Sequence, residues 1–581
     1  MSQVRQLVAQ AKSLMDAGRL ADAEGTLRQA LIHQPSHAEL LNQTGLLCFR
    51  QGKLSEAEEL FAAAARVNPA APIYFVHLAE SQRGQGKWPQ VIESAQRALS
   101  ADRQFARAYV TLADALRALH RVAESIAVYE EGARLCPKDG LILNNLANAY
   151  WSQGRAPEAI ARLRQCLEVS PNPAFQSSLV YTLWFDPDKT LADIVAEHAR
   201  WSQRWETPLA SQRRSVSRPR DANKRLRVGY VSPDFRQHVI ALFMQPILQL
   251  HDRNIVESSC YSDVAAPDFM TERLKSHSDH WLNTAGMPDA KLAERIAADG
   301  IDILVDLTAQ MFRNRLLVFA RKPAPVQVSY LAYAGTTGLA AMEYRLSDPY
   351  LDPVDTPTFG TEKVVRLPET YWCYVPQIEM PEVSPRPAGP IVFGCFNNCA
   401  KVNRLTIDLW SEILRQLPES RLRLIVYGGE SGNGHIKQSF QQHGIEPARI
   451  ELIDKVNYWS YFPLYNDVHI ALDPFPYNGG TTTIDALYMG VPVISLTGSN
   501  GMSRAGVSIL TNAGLPELIA ATPGEYASKT VTLARDREKL NALSASLRQR
   551  VKDSPLMNAP AFVRNLETIY RNIWNGGSLE F

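Results

Sequence analysis

The sequence predicts a helical repeat array followed by two α/β lobes, and three observations support this fold class. Gly and Pro recur on a 34-residue lattice through the first third of the chain. From Leu226 onward, short β-branched runs alternate with helical stretches, as in sheets of buried parallel strands. A Pro-rich passage over residues 374–390 interrupts this alternation before it resumes, which indicates two separate lobes.

Composition restricts the kind of protein. With 581 residues, the chain is expected to hold three or four domains at about 150 residues each. Its 61 Lys and Arg balance 60 Asp and Glu, so no surplus of positive charge predicts binding to nucleic acid or to an anionic membrane. The sequence has neither a secretory signal nor an apolar run of about 18 residues, and its seven Cys form no CxxC pair. We therefore expect a cytoplasmic location, reduced thiols and no Cys-based zinc site.

The lattice is set by turn residues and by helix-ending prolines. Its turn nodes are Gly18, Gly52, Gly86, His120 and Gly154, and its prolines are Pro35, Pro69, Pro137 and Pro171. Small residues recur at two further positions of the period, which permits close helix contact. This pattern is typical of tetratricopeptide repeats, in which a glycine ends the first helix of each pair and a proline closes the second.

We predict an α-solenoid of about five tetratricopeptide repeats with a capping helix over residues 1–185, followed by a helical linker over residues 186–224. Single repeats cannot bury their apolar faces, so they stack into a superhelix whose concave face suits extended peptides. Protein recognition is the predicted role of the array, and oligomerisation is the alternative. The polar basic segment at residues 212–225 is interpreted as a solvated linker.

The two α/β lobes are predicted at residues 225–385 and 386–581. Predicted strands include LRVGYVS (226–232), VESSCYS (256–262), IDILVDLT (301–308) and PVQVSYLAY (325–333) in the first lobe, and IVFGCFNN, LRLIVYGG, IELIDKV, VHIALDP and VPVISLT in the second. In doubly wound sheets of this kind, ligands bind in the crevice outside the carboxyl ends of the strands.

A Gly- and Thr-rich turn in the second lobe gives the strongest site signal. Its residues are Asn478, Gly479, Gly480, Thr481, Thr482 and Thr483. Glycines allow close backbone approach, and hydroxyls with unpaired N–H groups at a helix N-terminus form an anion site that fits a diphosphate. The run matches neither GxGxxG nor GxxxxGK(S/T), which disfavours a Rossmann dinucleotide fold and a P-loop. A Thr cap on an ordinary helix is the alternative.

Polar residues also follow the opening strand of each lobe. Lys401, near Asn398, is placed to neutralise a phosphate, and a solvated surface lysine is the alternative. His238, near Asp234, titrates close to neutrality, which suits proton transfer, and a helix cap is its alternative. The one DxD lies at residues 186–188, beside the repeats, so we expect no divalent metal at the diphosphate.

Four ordered motifs that follow the repeats carry a resemblance to a known family. They are LRVGYVSPDF, KPAPVQVSYLAYAGTTG, FNNCAK and NGGTTTIDALYMGVPVI. With the repeats, they closely resemble glycosyltransferase family 41, which includes the O-GlcNAc transferases of bacteria and eukaryotes and the plant SPINDLY proteins. The resemblance covers nearly the whole chain. It implies a two-lobed GT-B glycosyltransferase fold, a nucleotide-sugar donor, no cofactor, and metal-independent transfer with inversion at the anomeric carbon.

The resemblance also implies roles for individual residues. Lys401 matches the catalytic lysine that holds the diphosphate, and His238 matches a cleft histidine that acts as the base or as a donor-side contact. The implied donor-binding residues are Asn398, Val456, Tyr461, Asn478, Gly479, Gly480, Thr481, Thr482 and Asp485, the last at the ribose. The implied residues of the sugar and acceptor cleft are His280, Gly335, Thr336 and Thr337.

The predicted function is transfer of N-acetylglucosamine from UDP-GlcNAc to Ser and Thr hydroxyls of proteins held by the repeats. The chain departs from the animal O-GlcNAc transferase pattern at Ala400, Tyr458, Tyr461 and Gly480, and the segment 558–574 is similar to SPINDLY proteins, whose members use GDP-fucose. The alternatives are therefore a transferase that uses GDP-fucose or another nucleotide sugar, and a repeat scaffold with an inactive transferase region. The aspartate at position 485, in place of a glutamate, favours UDP as the nucleotide of the donor.

Overall fold

The computed structural model describes residues 2–213, 221–357, 359–376 and 378–576, which fall into two compact units. Within these residues, the first unit extends to Trp151 and adds Ala161–Pro171 and Tyr427–Gly434. The second unit comprises Ser152–Ile160, Asn172–Val426 and the chain from His435 onward. Each unit is therefore built from segments that are distant in sequence.

Paired helices form the repeat region, and the predicted tetratricopeptide repeats are confirmed. The helices are α1 Ser2–Asp16, α2 Leu20–His33, α3 Ala38–Arg50, α4 Leu54–Val67, α5 Pro72–Gly84, α6 Trp88–Ala101, α7 Ala106–Ala118, α8 Val122–Leu135, α9 Gly140–Ser152 and α10 Ala156–Val169. Lattice prolines follow the second helices at a constant distance: Pro35, for example, comes two residues after the end of α2. Proline acts here as the expected helix stop.

A positive backbone φ explains the turn nodes of the lattice. The φ angles are 74° at Gly18, 77° at Gly52, 72° at Gly86, 75° at Gly154 and 59° at His120. This left-handed conformation favours glycine, because a Cβ adds a steric cost there. His120 adopts the same conformation despite its Cβ. Its ring stacks on Tyr427 with 5.4 Å between ring centroids.

The helices after the repeats pack as part of the second unit. They are α11 Pro173–Leu183 and α12 Leu191–Trp201, a π-helix Ser202–Glu206 and a 3₁₀ helix Thr207–Gln212. Trp201 is buried in one cluster with Val231 and Leu304, which lie on strands of the first lobe. The chain from Asn172 onward thus lies with the second unit, whereas the sequence groups residues up to 185 with the repeats.

The predicted helical linker is thus partly a support for the first lobe. Buried Glu206 accepts hydrogen bonds from the backbone N–H groups of Ala340 and Ala341 at 2.9 and 2.8 Å. Glu206 also forms an ion pair with Arg213 at 2.5 Å and accepts a hydrogen bond from the Ser202 hydroxyl at 2.5 Å. Residues 214–220, in the segment predicted as a solvated linker, lie outside the described residues.

Seven parallel strands form the sheet of the first lobe, in the order β3-β2-β1-β4-β5-β6-β7. They are β1 Leu226–Ser232, β2 Val256–Ser262, β3 His280–Asn283, β4 Ile303–Asp306, β5 Val326–Ser329, β6 Tyr344–Ser347 and β7 Lys363–Arg366. The helices of this lobe are α13 Val239–Leu250, α14 Phe269–His277, α15 Asp289–Asp299 and α16 Leu316–Ala320. The sequence predicts β1, β2, β4 and β5 and misses β3, β6 and β7.

Six parallel strands form the second sheet, in the order β10-β9-β8-β11-β12-β13. They are β8 Val392–Cys395, β9 Arg421–Val426, β10 Ile450–Asp454, β11 Ile470–Leu472, β12 Val493–Leu496 and β13 Ile519–Ala520. The helices are α17 Arg404–Gln416, α18 Gly429–Gln442, α19 Tyr458–Tyr461, α20 Thr481–Tyr488, α21 Ala505–Asn512, α22 Pro523–Arg535, α23 Arg537–Lys552 and α24 Ala559–Asn575. The sequence misses only β13 among these strands.

Both sheets have the doubly wound order, which confirms the predicted two-lobed α/β fold. In the first sheet β1 lies between β2 and β4, and in the second β8 lies between β9 and β11. The direction of winding therefore reverses beside β1 and beside β8. This reversal leaves a crevice at the carboxyl ends of β1 and β4, and another at those of β8 and β11.

The last helix, α24, returns to the first lobe, although the sequence assigns it to the second. The Glu567 carboxylate accepts hydrogen bonds from His251 Nδ1 at 2.9 Å and from the Asp252 N–H at 2.8 Å. The Tyr230 hydroxyl lies 2.8 Å from His251 Nε2 and 3.3 Å from the Tyr570 hydroxyl. The side chains of Tyr230, His251, Glu567 and Tyr570 are buried. A buried polar network thus attaches α24 to β1 and to the end of α13.

We predict that Glu567→Ala lowers the free energy of unfolding by about 2–3 kcal/mol, because it leaves the buried His251 ring N–H and the Asp252 backbone N–H without their acceptor. Urea unfolding at neutral pH measures the change. Glu379→Ala serves as the control, since Glu379 is exposed, and its effect should stay within about 0.5 kcal/mol. Equal destabilisation by the two substitutions would contradict the role of the network.

Candidate active site

Lys401 lies at the crevice of the second sheet, in a short turn that follows β8. Its Nζ donates a hydrogen bond to the carbonyl oxygen of Asn478 at 2.6 Å and lies 3.5 Å from Asn397 Oδ1. The ammonium is also 4.1 Å from the centroid of the Tyr477 ring. Burial lowers the pKa of Lys401 to about 8, although Asp473 acts in the opposite direction. The structure therefore places Lys401 and Asn478 together, as predicted, and Lys401 is not a solvated surface lysine.

Asn397, which the sequence reasoning missed, is the asparagine that joins the parts of this corner. Its Oδ1 accepts a hydrogen bond from Thr482 Oγ1 at 2.8 Å and lies near Lys401 Nζ. Asn398, the predicted residue, is exposed and caps the turn itself, since its Oδ1 accepts the N–H of Ala400 at 3.1 Å. The prediction named the neighbouring residue because both asparagines follow the strand.

The N-terminus of α20 is open, as the anion-site prediction requires. Its N-cap residue is Gly480, so no side chain caps the N–H groups of the first turn. Thr481 and Thr482 are half-buried, and the Thr482 hydroxyl is directed to Asn397. The alternative of a threonine cap on an ordinary helix is therefore not what the structure shows. Unpaired N–H groups and the helix dipole favour an anion here.

Asp473 fixes the glycine turn that leads into α20, and the sequence reasoning missed it too. Its carboxylate accepts the N–H of Gly479 at 2.7 Å and the hydroxyl of Ser495 at 2.6 Å. Burial raises the pKa of Asp473 to about 6, while the two hydrogen bonds and Lys401 lower it. Its position directly after β11 is the signal that could have identified it, since the carboxyl ends of the strands face the crevice.

Asp485 lies deeper than the predicted ribose contact suggests. It is buried, and Tyr374 donates a hydrogen bond to its Oδ1 at 2.7 Å. Burial raises the pKa of Asp485 to about 7, and hydrogen bonds from Tyr374 and Tyr461 lower it. In this structure the carboxyl group therefore faces tyrosine hydroxyls. Val456 is half-buried in the loop after β10.

His238 lies at the crevice of the first sheet, as the N-cap of α13. Its Nδ1 accepts the N–H of Ile240 at 3.3 Å and is 3.8 Å from Asp234 Oδ2. Burial lowers its pKa; Asp234 raises it, and the charges of Arg236 and Lys455 lower it. Lys455 follows β10 of the second lobe, so a charge from that lobe also acts on the imidazole. His238 is thus a helix cap at the crevice, and its role at a donor stays a prediction.

Asp306 is a second buried carboxyl group at the same crevice, and no sequence signal singled it out. It ends β4 and pairs with Val231 of β1 in the sheet register. It accepts the N–H groups of Thr308 and Ala309 at 3.1 and 2.9 Å. Burial raises the pKa of Asp306 to about 7 against these hydrogen bonds. A group that changes charge near neutrality therefore ends the strand beside His238.

Gly335, Thr336 and Thr337 were predicted in the sugar and acceptor cleft, and the structure corrects the role of the two hydroxyls. Both threonines are fully buried, and both donate to the Glu362 carboxylate at 2.5 Å. A Cβ at Gly335 would lie 2.4 Å from the Tyr333 ring, so this residue is packed closely as well. The two threonine hydroxyls therefore hold a buried loop in place by donating to Glu362, which lies on a later segment of the chain.

His280 was also predicted in the cleft, but the structure places it at the outer edge of the first sheet. It begins β3, the outer strand of the first sheet, and pairs in register with Ser259. Its side chain is 62% exposed and lies 2.7 Å from Glu257. No strand was predicted at β3, so nothing indicated that His280 lies on the outer edge, away from the crevice beside β1.

The described residues include neither a metal-binding cluster nor a membrane-spanning helix. Within residues 2–213, 221–357, 359–376 and 378–576, no three His, Cys, Asp or Glu side chains are grouped so as to hold a metal ion. Within the same ranges, no helix combines the length and the apolar character needed to cross a bilayer.

We predict that Lys401→Met stabilises the nucleotide-free protein at pH 7 by on the order of 1–2 kcal/mol, because it removes a buried charge. The native pKa of about 8 lies below the ordinary value of 10.5. The native state therefore loses this proton first, and parental stability should rise with pH between these two values. Urea unfolding at pH 7 and pH 9.5 tests this. A variant less stable than the parent at pH 7 would contradict the buried charge.

Comparison with known proteins identifies the family. The description "Glycosyl transferase family 41" matches residues 176–378 and 382–566. Two tetratricopeptide repeat families match residues 8–72 and 104–172.

Several relatives are similar over most of the chain. A probable UDP-N-acetylglucosamine–peptide N-acetylglucosaminyltransferase SPINDLY of Oryza sativa subsp. japonica is 36% identical over 71% of this chain and 45% of its own length. The Arabidopsis thaliana protein of the same name is 37% identical over 65% of this chain and 42% of its own. The chain thus spans less than half the length of these curated relatives.

A solved structure extends the similarity to the fold. It is a lysine-to-methionine mutant of the Thermobaculum terrenum O-GlcNAc transferase, 32% identical, with a TM-score of 0.81. The match covers 87% of this chain and 97% of that one. Since the family match spans more than half of the residues and coincides with the two lobes, the protein belongs to glycosyltransferase family 41.

Proposed function

We propose that this protein transfers N-acetylglucosamine from UDP-GlcNAc to Ser and Thr hydroxyls of proteins, with inversion at the anomeric carbon and without a metal ion. The observation that carries the proposal is the half-buried Lys401, whose ammonium lies beside Asn478 at the crevice where the uncapped helix α20 begins. Family membership supports a nucleotide-sugar donor. The names of the SPINDLY relatives support UDP-GlcNAc as donor and a peptide as acceptor.

Charge on the leaving group is the main chemical demand of this reaction. The acceptor hydroxyl oxygen attacks the anomeric carbon from the face opposite the diphosphate, and the carbon–oxygen bond to the diphosphate breaks. The proton of the hydroxyl group is released to water or to the departing diphosphate. The electron pair of the broken bond goes to the departing phosphate oxygen, so negative charge grows there. Preorganised donors in a site shielded from water stabilise such charge most effectively. Lys401 and the first-turn N–H groups of α20 would be these donors.

The depressed pKa of Lys401 is compatible with this role. At about 8, it leaves most of the molecules with a charged ammonium at pH 7. A diphosphate bound next to the ammonium would raise this pKa, because a negative neighbour favours the charged form. Lys401 would therefore act as a fixed cation that neutralises the diphosphate.

His238 is better suited to hold the donor than to remove the acceptor proton. Its Nδ1 accepts the N–H of Ile240, so the neutral imidazole carries its proton on Nε2. The nitrogen that remains free to meet a ligand is then a hydrogen-bond donor. Of the two roles implied by the resemblance, the donor-side contact fits this tautomer, and the base would require a rearranged ring.

The tetratricopeptide repeats support protein or peptide acceptors, since such arrays bind extended segments. We also retain the cytoplasmic location expected from the sequence. All seven cysteines are unpaired, which agrees with a reducing compartment. The residues at the nucleotide base of the donor depart from the family pattern, because Tyr458 and Tyr461 lie where that pattern has other residues.

We predict that transfer from UDP-GlcNAc to peptides falls by at least about 10²-fold in Lys401→Met, because one preorganised donor to the leaving group is lost. Purified protein is incubated with a peptide mixture and a panel of nucleotide sugars, and mass spectrometry reports the sugar and the modified residue. Equal product from the parent and the variant would exclude the proposed role of Lys401.

The same panel separates the alternatives. Product from GDP-fucose alone, together with preferential GDP binding in calorimetry, would replace the proposed donor and keep the transferase. Absence of product from every donor, with only weak nucleotide binding, would favour the repeat scaffold with an inactive transferase region.

We predict that activity is unchanged within about twofold after dialysis against EDTA, because Lys401 and backbone dipoles supply the charge that a divalent ion would otherwise provide. Initial rates are compared before and after chelation, and again after addition of Mg²⁺ or Mn²⁺. Loss of activity on chelation, with recovery on Mn²⁺, would refute metal independence.

A further inference from the structure

The turn between the last two repeat helices differs from the other turns of the lattice. This Gly154 turn, residues 153–155, joins α9 to α10. Although it lies within the repeats in sequence, it belongs to the second unit, with the two lobes. The equivalent turns at Gly18, Gly52 and Gly86 belong to the first unit.

Space around the glycine shows the difference. A Cβ built on Gly154 would lie 2.3 Å from the carbonyl oxygen of Val402 and 3.1 Å from that of Cys399. At Gly18, Gly52 and Gly86, a Cβ would meet nothing within 4 Å. Their φ angles are nearly the same, 74°, 77° and 72° against 75° at Gly154. Gly154 therefore meets two requirements, a left-handed backbone and a close approach, and the other three meet only the first.

The two carbonyl groups that Gly154 approaches flank Lys401. They belong to the Lys401 turn, residues 398–402, in which the Val402 N–H donates to the Cys399 carbonyl at 2.9 Å. Cys399, Ala400 and Val402 are buried, so this turn has little room to retreat. A displacement of Val402 or Cys399 must therefore move the backbone that holds Lys401.

A second contact fixes the Gly154 turn from another side. His435 on α18 has its Nε2 3.0 Å from the carbonyl oxygen of Gln153. Burial lowers the pKa of His435, which favours the neutral ring, and its Nε2–H then donates to that carbonyl. The backbone of Gln153 and Gly154 is thus held between His435 and the Lys401 turn.

We propose that the Gly154 turn is a positioning element of the donor site, which sets the height of the Lys401 ammonium above the α20 crevice through its contact with Val402 and Cys399. Gly154 is accordingly a positioning residue, and it touches no substrate. The proposal rests on the proposed function only where transfer is the readout. The placement of Lys401 and the affinity for UDP can be measured without transfer.

The test compares Gly154→Ala with Gly86→Ala. Both substitutions place a Cβ on a left-handed backbone, so they carry a similar conformational cost, but only the first forces the Lys401 turn to move by roughly 1 Å. We expect Gly154→Ala to lower kcat/KM by on the order of 10²-fold and to weaken UDP binding in calorimetry. Gly86→Ala should keep parental values of both. Equal effects of the two variants would overturn the proposal.

A spectroscopic measurement makes the test independent of activity. The lysines are reductively methylated with ¹³C, and the Lys401 signal is assigned by its absence from Lys401→Arg. In Gly154→Ala we expect Lys401 to titrate at a pH at least about 0.5 away from the parental value, because its burial and its contact with Asn478 change. A parental Lys401 titration and parental UDP affinity in a folded Gly154→Ala protein would overturn the proposal, even if the parent transfers no sugar.

A second pair of variants covers the case in which Gly154→Ala does not fold. His435→Leu removes the donor to Gln153, and His435→Gln retains an N–H group that can reach the same carbonyl. We expect His435→Leu to shift the Lys401 titration and to lower UDP affinity several-fold, and His435→Gln to restore both toward the parental values. An unchanged Lys401 titration in His435→Leu would overturn the proposal.

Discussion

A half-buried lysine whose ammonium has no carboxylate of the described residues within hydrogen-bond distance is the feature on which this site depends. Lys401 Nζ rests on the Asn478 carbonyl and above the Tyr477 ring. The nearby carboxylate of Asp473 is already occupied by the N–H of Gly479 and the hydroxyl of Ser495. Leaving a charge in this state is costly, because desolvation is only partly offset by a carbonyl dipole. The diphosphate of the proposed donor would offset this cost, because it would place negative charge beside the ammonium.

The second lobe holds this corner through contacts that cross to the first lobe. Tyr374, from the junction between the lobes, donates to Asp485 on α20, and Ser508 on α21 donates to buried Asp348. The helix α24 adds its own network around His251 and Glu567. These contacts are buried and specific in geometry, so they restrict how the lobes can shift against each other. The relative position of the crevices beside β1 and β8 is therefore fixed by buried hydrogen bonds between the lobes.

The sequence was sufficient where a pattern repeats or where a strand is fully buried. The 34-residue lattice predicts the repeats because each node meets a local backbone requirement, and β1 was found because six of its seven residues are buried and its Val, Leu and Tyr residues are typical of a strand. Edge strands such as β3 are short and half-exposed, so their composition resembles that of loops. His280 was misplaced for that reason. The sequence analysis chose Asn398, whereas Asn397 is the asparagine that contacts Thr482 and Lys401. The backbone conformation after β8 decides which of the two adjacent side chains faces the crevice, and that conformation cannot be deduced from composition.

Glycines at equivalent turn nodes of the lattice have different roles. His120 occupies a turn node with φ 59°, so a left-handed turn in these repeats tolerates a side chain when space is available. Gly154 occupies an equivalent node, but the carbonyl of Val402 excludes even a methyl group. Glycine at this node is therefore required by a contact from another part of the chain, and not by the local turn alone. Such a requirement is invisible in the spacing, because it arises from the close approach of the Gly154 turn to the backbone that carries Lys401.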